Sequence, residues 1–187
     1  MLKLHVIIAS TRRERRGPAI ARWFLEQASH HGRFDVELVD LKTVDLPLLD
    51  ESKDPRLRQY ENPSTQAWSR SVDAADAFVF VTPEYNHGPP PALVNALDHV
   101  YTEWHYKPAG FVSYGGVSGG TRSAELAKQI LTTLRVMPVP DAVAIPFVSQ
   151  LIDEAGGFRG DARLERSVTT MLDELLRWAQ ALRSLRA

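Results

Sequence analysis

The chain has 187 residues, 44% hydrophobic and 24% charged, as expected of a single globular domain over residues 1–187 that buries its core without covalent staples. Its 22 Lys and Arg against 23 Asp and Glu leave a net charge of −1, so no global field draws it to nucleic acid or to an anionic membrane. Cysteine is absent, which excludes disulfide frameworks, thiolate metal centres and every cysteine-nucleophile enzyme.

In chain order, Met1-Leu2-Lys3-Leu4 shows no signal-peptide pattern and runs directly into the first strand, Leu4-His5-Val6-Ile7-Ile8-Ala9. No apolar run approaches the ~18 residues of a membrane span, and the expected location is the cytoplasm. After the polar loop 10–17, Pro18 suits a first helical turn, and Ala19, Ile20, Trp23, Phe24 and Ala28 recur at helical spacing. Residues 34–41 fit a second strand. Residues 42–63, with Pro47, Pro55 and Pro63 among many charges, predict a long irregular connection.

Ser64 is a candidate N-cap for a helix over 65–75. Ala77-Phe78-Val79-Phe80-Val81-Thr82 is apolar on both faces, the signature of a central strand in a parallel sheet. Pro89-Pro90-Pro91 leads into a helix striped by Leu93, Ala96, Leu97, Val100 and Tyr101. A fourth strand over 109–114 ends in Gly115, Gly116, Gly119 and Gly120, followed by a helix over 122–134 and a fifth strand over 139–145. Leu164, Val168, Met171, Leu172, Leu175, Ala179 and Leu182 mark a long amphipathic C-terminal helix.

This alternation demands right-handed crossovers and a parallel sheet covered on both faces. The expected architecture is a three-layer α/β/α sandwich on a five-stranded parallel sheet, in the flavodoxin-like order 2-1-3-4-5, with a Rossmann-type order second. Ligands of such sheets sit beyond the carboxyl ends of the strands, at the switch point. That rule selects the loops after strands one, three and four.

The first of these, Ser10-Thr11-Arg12-Arg13-Glu14-Arg15-Arg16-Gly17-Pro18, combines hydroxyls, guanidinium groups and a helix start, the parts an anion site needs. It lacks the glycines and Lys-Ser/Thr of a Walker loop and the spacing of a dinucleotide fingerprint. Its arginines are not extended elsewhere into a nucleic-acid stripe. The second loop, Pro83-Glu84-Tyr85-Asn86-His87-Gly88, is a stiff turn presenting an aromatic ring, an amide and backbone N–H groups to a flat ligand. The third, from Tyr114 to Arg122, carries glycines where any Cβ would keep a ligand at a distance.

Ser10-Thr11-Arg12, Pro83-Glu84-Tyr85-Asn86, Asn95-Ala96-Leu97-Asp98 and the glycine loop together resemble the NADPH-dependent FMN reductases, flavodoxin-like relatives of quinone, azo-dye and chromate reductases. The resemblance runs from Val6 to about Leu134. It implies bound FMN, with Ser10, Thr11, Arg12, Arg15, Arg16, Gly17 and Pro18 around the phosphate. It sets Pro83, Glu84, Tyr85, Asn86 and His87 along the flavin, with Ser113, Gly115 and Gly116 beyond it. Ala9 stands where many relatives have Gly, and Arg15-Arg16-Gly17 where many have Ser and Asn, leaving three arginines as candidates for the phosphate contact.

The resemblance also implies hydride passing from NADPH to the flavin and on to a quinone, flavin, azo or metal-oxyanion acceptor. It requires no side-chain nucleophile, general base or metal. A homodimer or homotetramer is expected, with Tyr101, Trp104 and Tyr106 taken as exposed aromatics near the flavin face. Two competing readings are a flavodoxin-type electron carrier, against which the near-neutral charge argues, and a nucleotide-sensing regulatory domain.

Overall fold

Apolar strands that alternate with amphipathic helices can hide both sheet faces only by laying helices above and below. The structure, a computed structural model describing residues 1–186, does this. Its elements are β1 (Leu2–Ile8), α1 (Gly17–His31), β2 (Phe34–Asp40), α2 (Leu41–Val44), α3 (Pro63–Ala74), β3 (Ala77–Pro83), α4 (Pro91–Asp98), β4 (Pro108–Tyr114), α5 (Thr121–Thr133), β5 (Met137–Pro138), β6 (Val143–Ile145) and α6 (Ala162–Leu182). The sheet order is β2-β1-β3-β4-β5, with β6 also paired to β4 and every pairing parallel. This is the flavodoxin-like order expected from the sequence.

Alternate residues of each strand feed two cores. Leu4, Val6 and Ile8 of β1 point to α1 and α6, where Ile20, Phe24, Leu164, Met171 and Leu175 are buried. Ile7, Phe78, Phe80 and Phe111 face the other layer, packing with Trp68, Leu93, Leu97 and Leu131. β3 is buried along its whole length, as its unbroken apolar run requires.

Three expectations need correction. The fifth strand is not continuous over 139–145. β5 pairs with Pro108 and Ala109, and β6 with Val112 to Tyr114, because Pro138 and Pro140 cannot donate to the ladder between them. The helix expected at 65–75 starts at Pro63, with Asn62 rather than Ser64 in the cap position. Its proline needs no donor partner in the first turn.

Trp104 is fully buried rather than exposed. Its ring lies 4.8 Å from Phe78, and its indole N–H donates to Leu97 O at 3.2 Å. Tyr101 and Tyr106 are half-buried. The reason is directional: α4 runs back against the strands, so residues 99–107 reach the amino end of the sheet, away from the loops at its carboxyl end. The long connection is irregular over most of its length, but it opens on the short helix α2 and carries a 3-10 turn at Pro55–Leu57. Asn95 of α4 pins it, accepting from Leu49 N at 3.0 Å and donating to Pro47 O at 2.7 Å.

Candidate active site

The sheet places the ends of β1, β3 and β4 side by side, with β1 and β3 at the switch between the β2 direction and the β4 direction. Beyond them lies a cleft of about 370 Å³. Ser10, Arg12, Arg15 and Arg16 form one wall, Pro83, Glu84 and Tyr85 a second, and Tyr114 and Gly115 a third, with Glu14, Val148 and Ser149 completing the lining.

Hydrogen bonds tie these loops to one another. The buried Ser10 hydroxyl bonds the Tyr85 hydroxyl at 2.6 Å, fixing the first loop to the second. Glu84 accepts from Ser118 Oγ at 2.8 Å and from Arg122 Nε at 2.7 Å, fixing the second loop to the third. Burial opposes ionisation of Glu84, but the bonds from Arg122 and Ser118 outweigh it and hold the carboxyl below its ordinary value. The brace is therefore ionic at neutral pH.

Three of the four arginines of the first loop line the cleft, and they fall into two roles. Arg15 grips Asp40 with both terminal nitrogens, at 2.6 and 2.5 Å, and donates to Ser10 O at 2.7 Å. It holds the loop to the end of β2. Arg12 and Arg16 are exposed, and Arg12 lies with its guanidinium carbon 6.0 Å from the centre of the Tyr85 ring. These two have their donors available to a ligand in the cleft.

The start of α1 is shaped to meet an anion. No side chain caps it and its first turn holds no acidic residue, so its N-terminal partial charge is unanswered. Gly17 sits tightly packed, since a Cβ there would come within 2.9 Å of Ile8 Cγ2 and 3.1 Å of the Tyr114 hydroxyl. That hydroxyl is buried and its proton has no acceptor among the described residues; burial raises its pKa, against the opposing effect of Gly17 N–H and Ser10 beside it, so that it keeps its proton. A buried O–H donor left over beside an uncapped helix start fits a phosphate group. Next to the lining residue Gly115, the exposed Gly116 has open space where its Cβ would lie, with nothing within 4 Å.

Asn86 and His87 form the exposed tip of a two-residue turn closed by Tyr85 N to Gly88 O and Gly88 N to Tyr85 O, both 2.9 Å. Their φ values of 50° and 68° are left-handed, as a type I′ turn requires. Gly17 and Pro18 open α1 behind the cleft, and Ser113 is buried in β4 beneath the glycine loop. Thr11 faces a neighbouring cleft of about 480 Å³ between α2 and α4.

Tyr114, Glu14, Val148 and Ser149 are lining residues not singled out from the sequence. Tyr114 carried a signal, as the aromatic end of an apolar strand before a glycine cluster. Val148 and Ser149 carried none. They reach the cleft because Phe147 N bonds Gly116 O at 2.9 Å and Val148 N bonds Gly115 O at 3.1 Å.

Known proteins resemble this chain in sequence and in fold. The NAD(P)H-dependent FMN reductase of Schizosaccharomyces pombe is 40% identical over 162 residues, covering 83% of this chain and 81% of its own. Its counterpart in Saccharomyces cerevisiae is 36% identical over 157 residues, 78% of this chain and 82% of its own. In fold, the flavoenzyme NAD(P)H:(acceptor) oxidoreductase FerB of Paracoccus denitrificans superposes with a TM-score of 0.76 at 20% identity, covering 97% of this chain and 98% of its own. The profile of the family described as NADPH-dependent FMN reductase matches residues 2–150. That span takes in every segment that builds the cleft, and the chain belongs to the NADPH-dependent FMN reductase family.

Proposed function

We propose that the cleft holds FMN with its phosphate at the start of α1, and that the enzyme uses NADPH to reduce a flat or oxyanionic acceptor on the exposed flavin face. The observation that carries this reading is the uncapped, acid-free helix start beside the leftover Tyr114 hydroxyl and two unengaged arginines. Arg12 and Arg16 supply charge-assisted bonds to the phosphate, while Arg15 holds their loop in place through Asp40. Tyr85 and the turn at Asn86 and His87 border the ring, and Gly115 and Gly116 let it lie against backbone.

When bound, FMN supplies the hydride chemistry. This chain orients the ring, leaves one face open and needs no side-chain nucleophile. Relatives named for quinone and azo reduction support an acceptor of that class. Purified protein should release FMN on heating, matched against FMN and FAD standards, and should consume NADPH with a quinone. An FAD peak, or a colourless protein that FMN does not reconstitute, overturns the reading.

The reading includes a homodimer or homotetramer in the cytoplasm. Support for assembly comes from the connection beside α4, where Leu48 is 81% exposed and Leu57 58%. A monomeric mass by light scattering at micromolar concentration would refute assembly. Among the described residues, no helix is long and apolar enough to cross a membrane.

A further inference from the structure

A second cluster of charge lies at the other end of the sheet. Asp76 immediately precedes β3 and Lys107 immediately precedes β4, so both mark the amino ends of strands whose carboxyl ends carry the flavin cleft. Seven-residue strands set the two ends roughly 20 Å apart. Between Asp73 at the end of α3, the segment 102–107 and the C-terminal turn at Arg183–Leu185 opens a cavity of about 430 Å³.

Four cations, Arg58, Lys107, Arg183 and Arg186, face three carboxylates there, Asp73, Asp76 and Glu103. The carboxylates are all engaged. Glu103 is fully buried and accepts from Tyr60 at 2.9 Å, Ser69 at 2.6 Å and Arg58 at 3.3 Å. Asp73 takes the other Arg58 contact at 3.3 Å. Asp76 accepts from Lys3 N at 2.8 Å and from Arg186 Nη1 at 3.0 Å.

The cations are not all engaged. Arg186 Nε and Nη2, the side-on fork of the guanidinium, are buried without any acceptor among the described residues. Lys107 Nζ gives two of its three protons to Val72 O at 2.7 Å and Asp73 O at 3.0 Å, leaving one. Arg183 is exposed at the cavity mouth. His105 adds a buried Nε2 without a partner among the described residues, and burial with the nearby Arg135 charge keeps that ring neutral.

Buried charged donors without acceptors are costly, and a guanidinium fork matches two oxygens held side by side. We propose that this cavity is a second anion site, distinct from the flavin cleft, which takes the phosphate group of a small molecule on the Arg186 fork. The volume exceeds what a bare phosphate fills, so an organic group has room beside it. The assignment does not depend on the flavin reading.

The test titrates FMN-loaded protein with inorganic phosphate by calorimetry, with chloride holding ionic strength constant and flavin absorbance recorded throughout. The expected result is one saturable site with unchanged flavin content. Affinity should fall at least about tenfold in Arg186→Met, which keeps the side-chain stem. It should fall similarly in Arg186→Lys, which keeps the charge without the fork, and by a few-fold in the exposed Arg183→Ala, with thermal midpoints in chloride verifying that each variant folds. Acetate should bind at least about tenfold more weakly than phosphate. No saturable binding, binding indifferent to Arg186, acetate equal to phosphate, or flavin released as phosphate rises would each overturn the assignment.

Discussion

Arg15 and Arg12 stand three residues apart in one loop, yet their replacement should fail in different ways. Arg15 makes three bonds of 2.5 to 2.7 Å, two of them to Asp40, and the paired side chains are only 12% and 21% exposed. Removing one partner of a fully buried pair costs about 3–5 kcal/mol, and a surface pair contributes at most about 1 kcal/mol. At this intermediate burial Arg15→Ala should cost about 2–3 kcal/mol. For a chain of this length that lowers the thermal midpoint of the apoprotein by about 4–12 °C. A double-mutant cycle with Asp40→Ala should return a coupling of about 1–3 kcal/mol, and it cancels the loss of the Asp40 bond to Lys42 N. Arg12→Ala removes only an exposed side chain near the Tyr85 ring, so stability should hold within about 0.5 kcal/mol while FMN affinity falls at least about tenfold. Arg16→Ala should behave like Arg12→Ala. Calorimetry of apoproteins and fluorescence titration with FMN give both quantities. Undiminished stability in Arg15→Ala, or full FMN affinity in both Arg12→Ala and Arg16→Ala, refutes this division of labour.

Gly17→Ala drives a methyl to within 2.9 Å of Ile8 Cγ2 and 3.1 Å of the Tyr114 hydroxyl, so denaturant unfolding should show a loss of about 1–3 kcal/mol together with weaker FMN binding. His87→Gly relieves a left-handed residue and creates the Asn-Gly pair that a type I′ turn favours, which should raise stability by about 0.5–1 kcal/mol in urea. A more stable His87→Gly protein with lower turnover per bound flavin assigns His87 a ligand contact; unchanged turnover leaves it as turn chemistry. Lys107 is pushed down to about 8, first by burial, so between pH 8 and its unfolded value of 10.5 the folded state binds fewer protons than the unfolded chain. Stability attributable to Lys107 therefore rises with pH in that window, by about 1.5 kcal/mol from pH 8 to 9.5. Lys107→Met should remove that rise, and identical pH profiles for the two proteins would show that Lys107 titrates normally.

What could be read from the residues alone was what depends on neighbours in sequence or on period. The unbroken run 77–82 announced a buried central strand, and the alternation of strands and helices announced the sheet order and hence the three loops that meet. Pairing across the fold left no such trace. Nothing in Arg12-Arg13-Glu14-Arg15-Arg16 shows which guanidinium Asp40, 25 residues further on, will claim. Trp104 looks like an exposed aromatic until α4 is seen to carry it back over Phe78. The break in the last strand was missed because the apolar pattern over 139–145 was weighed above Pro138 and Pro140, whose missing donors outweigh it.

The bonds that close the cleft span long stretches of chain: 75 residues from Ser10 to Tyr85, 34 from Glu84 to Ser118 and 25 from Arg15 to Asp40. The glycine loop waits longer still, because its backbone is set by Ile145, Phe147 and Val148. The brace of the first loop to β2 therefore needs only residues up to Asp40, whereas the third wall needs the pairing of β6 with β4. Fragments ending before residue 145 hold most of the recognisable motifs and yet lack a finished cleft. With FMN in the cleft as proposed, a fragment ending at residue 145 should bind it more weakly than the full chain, and flavin content in a cell extract should report on completed chains rather than on partly made ones.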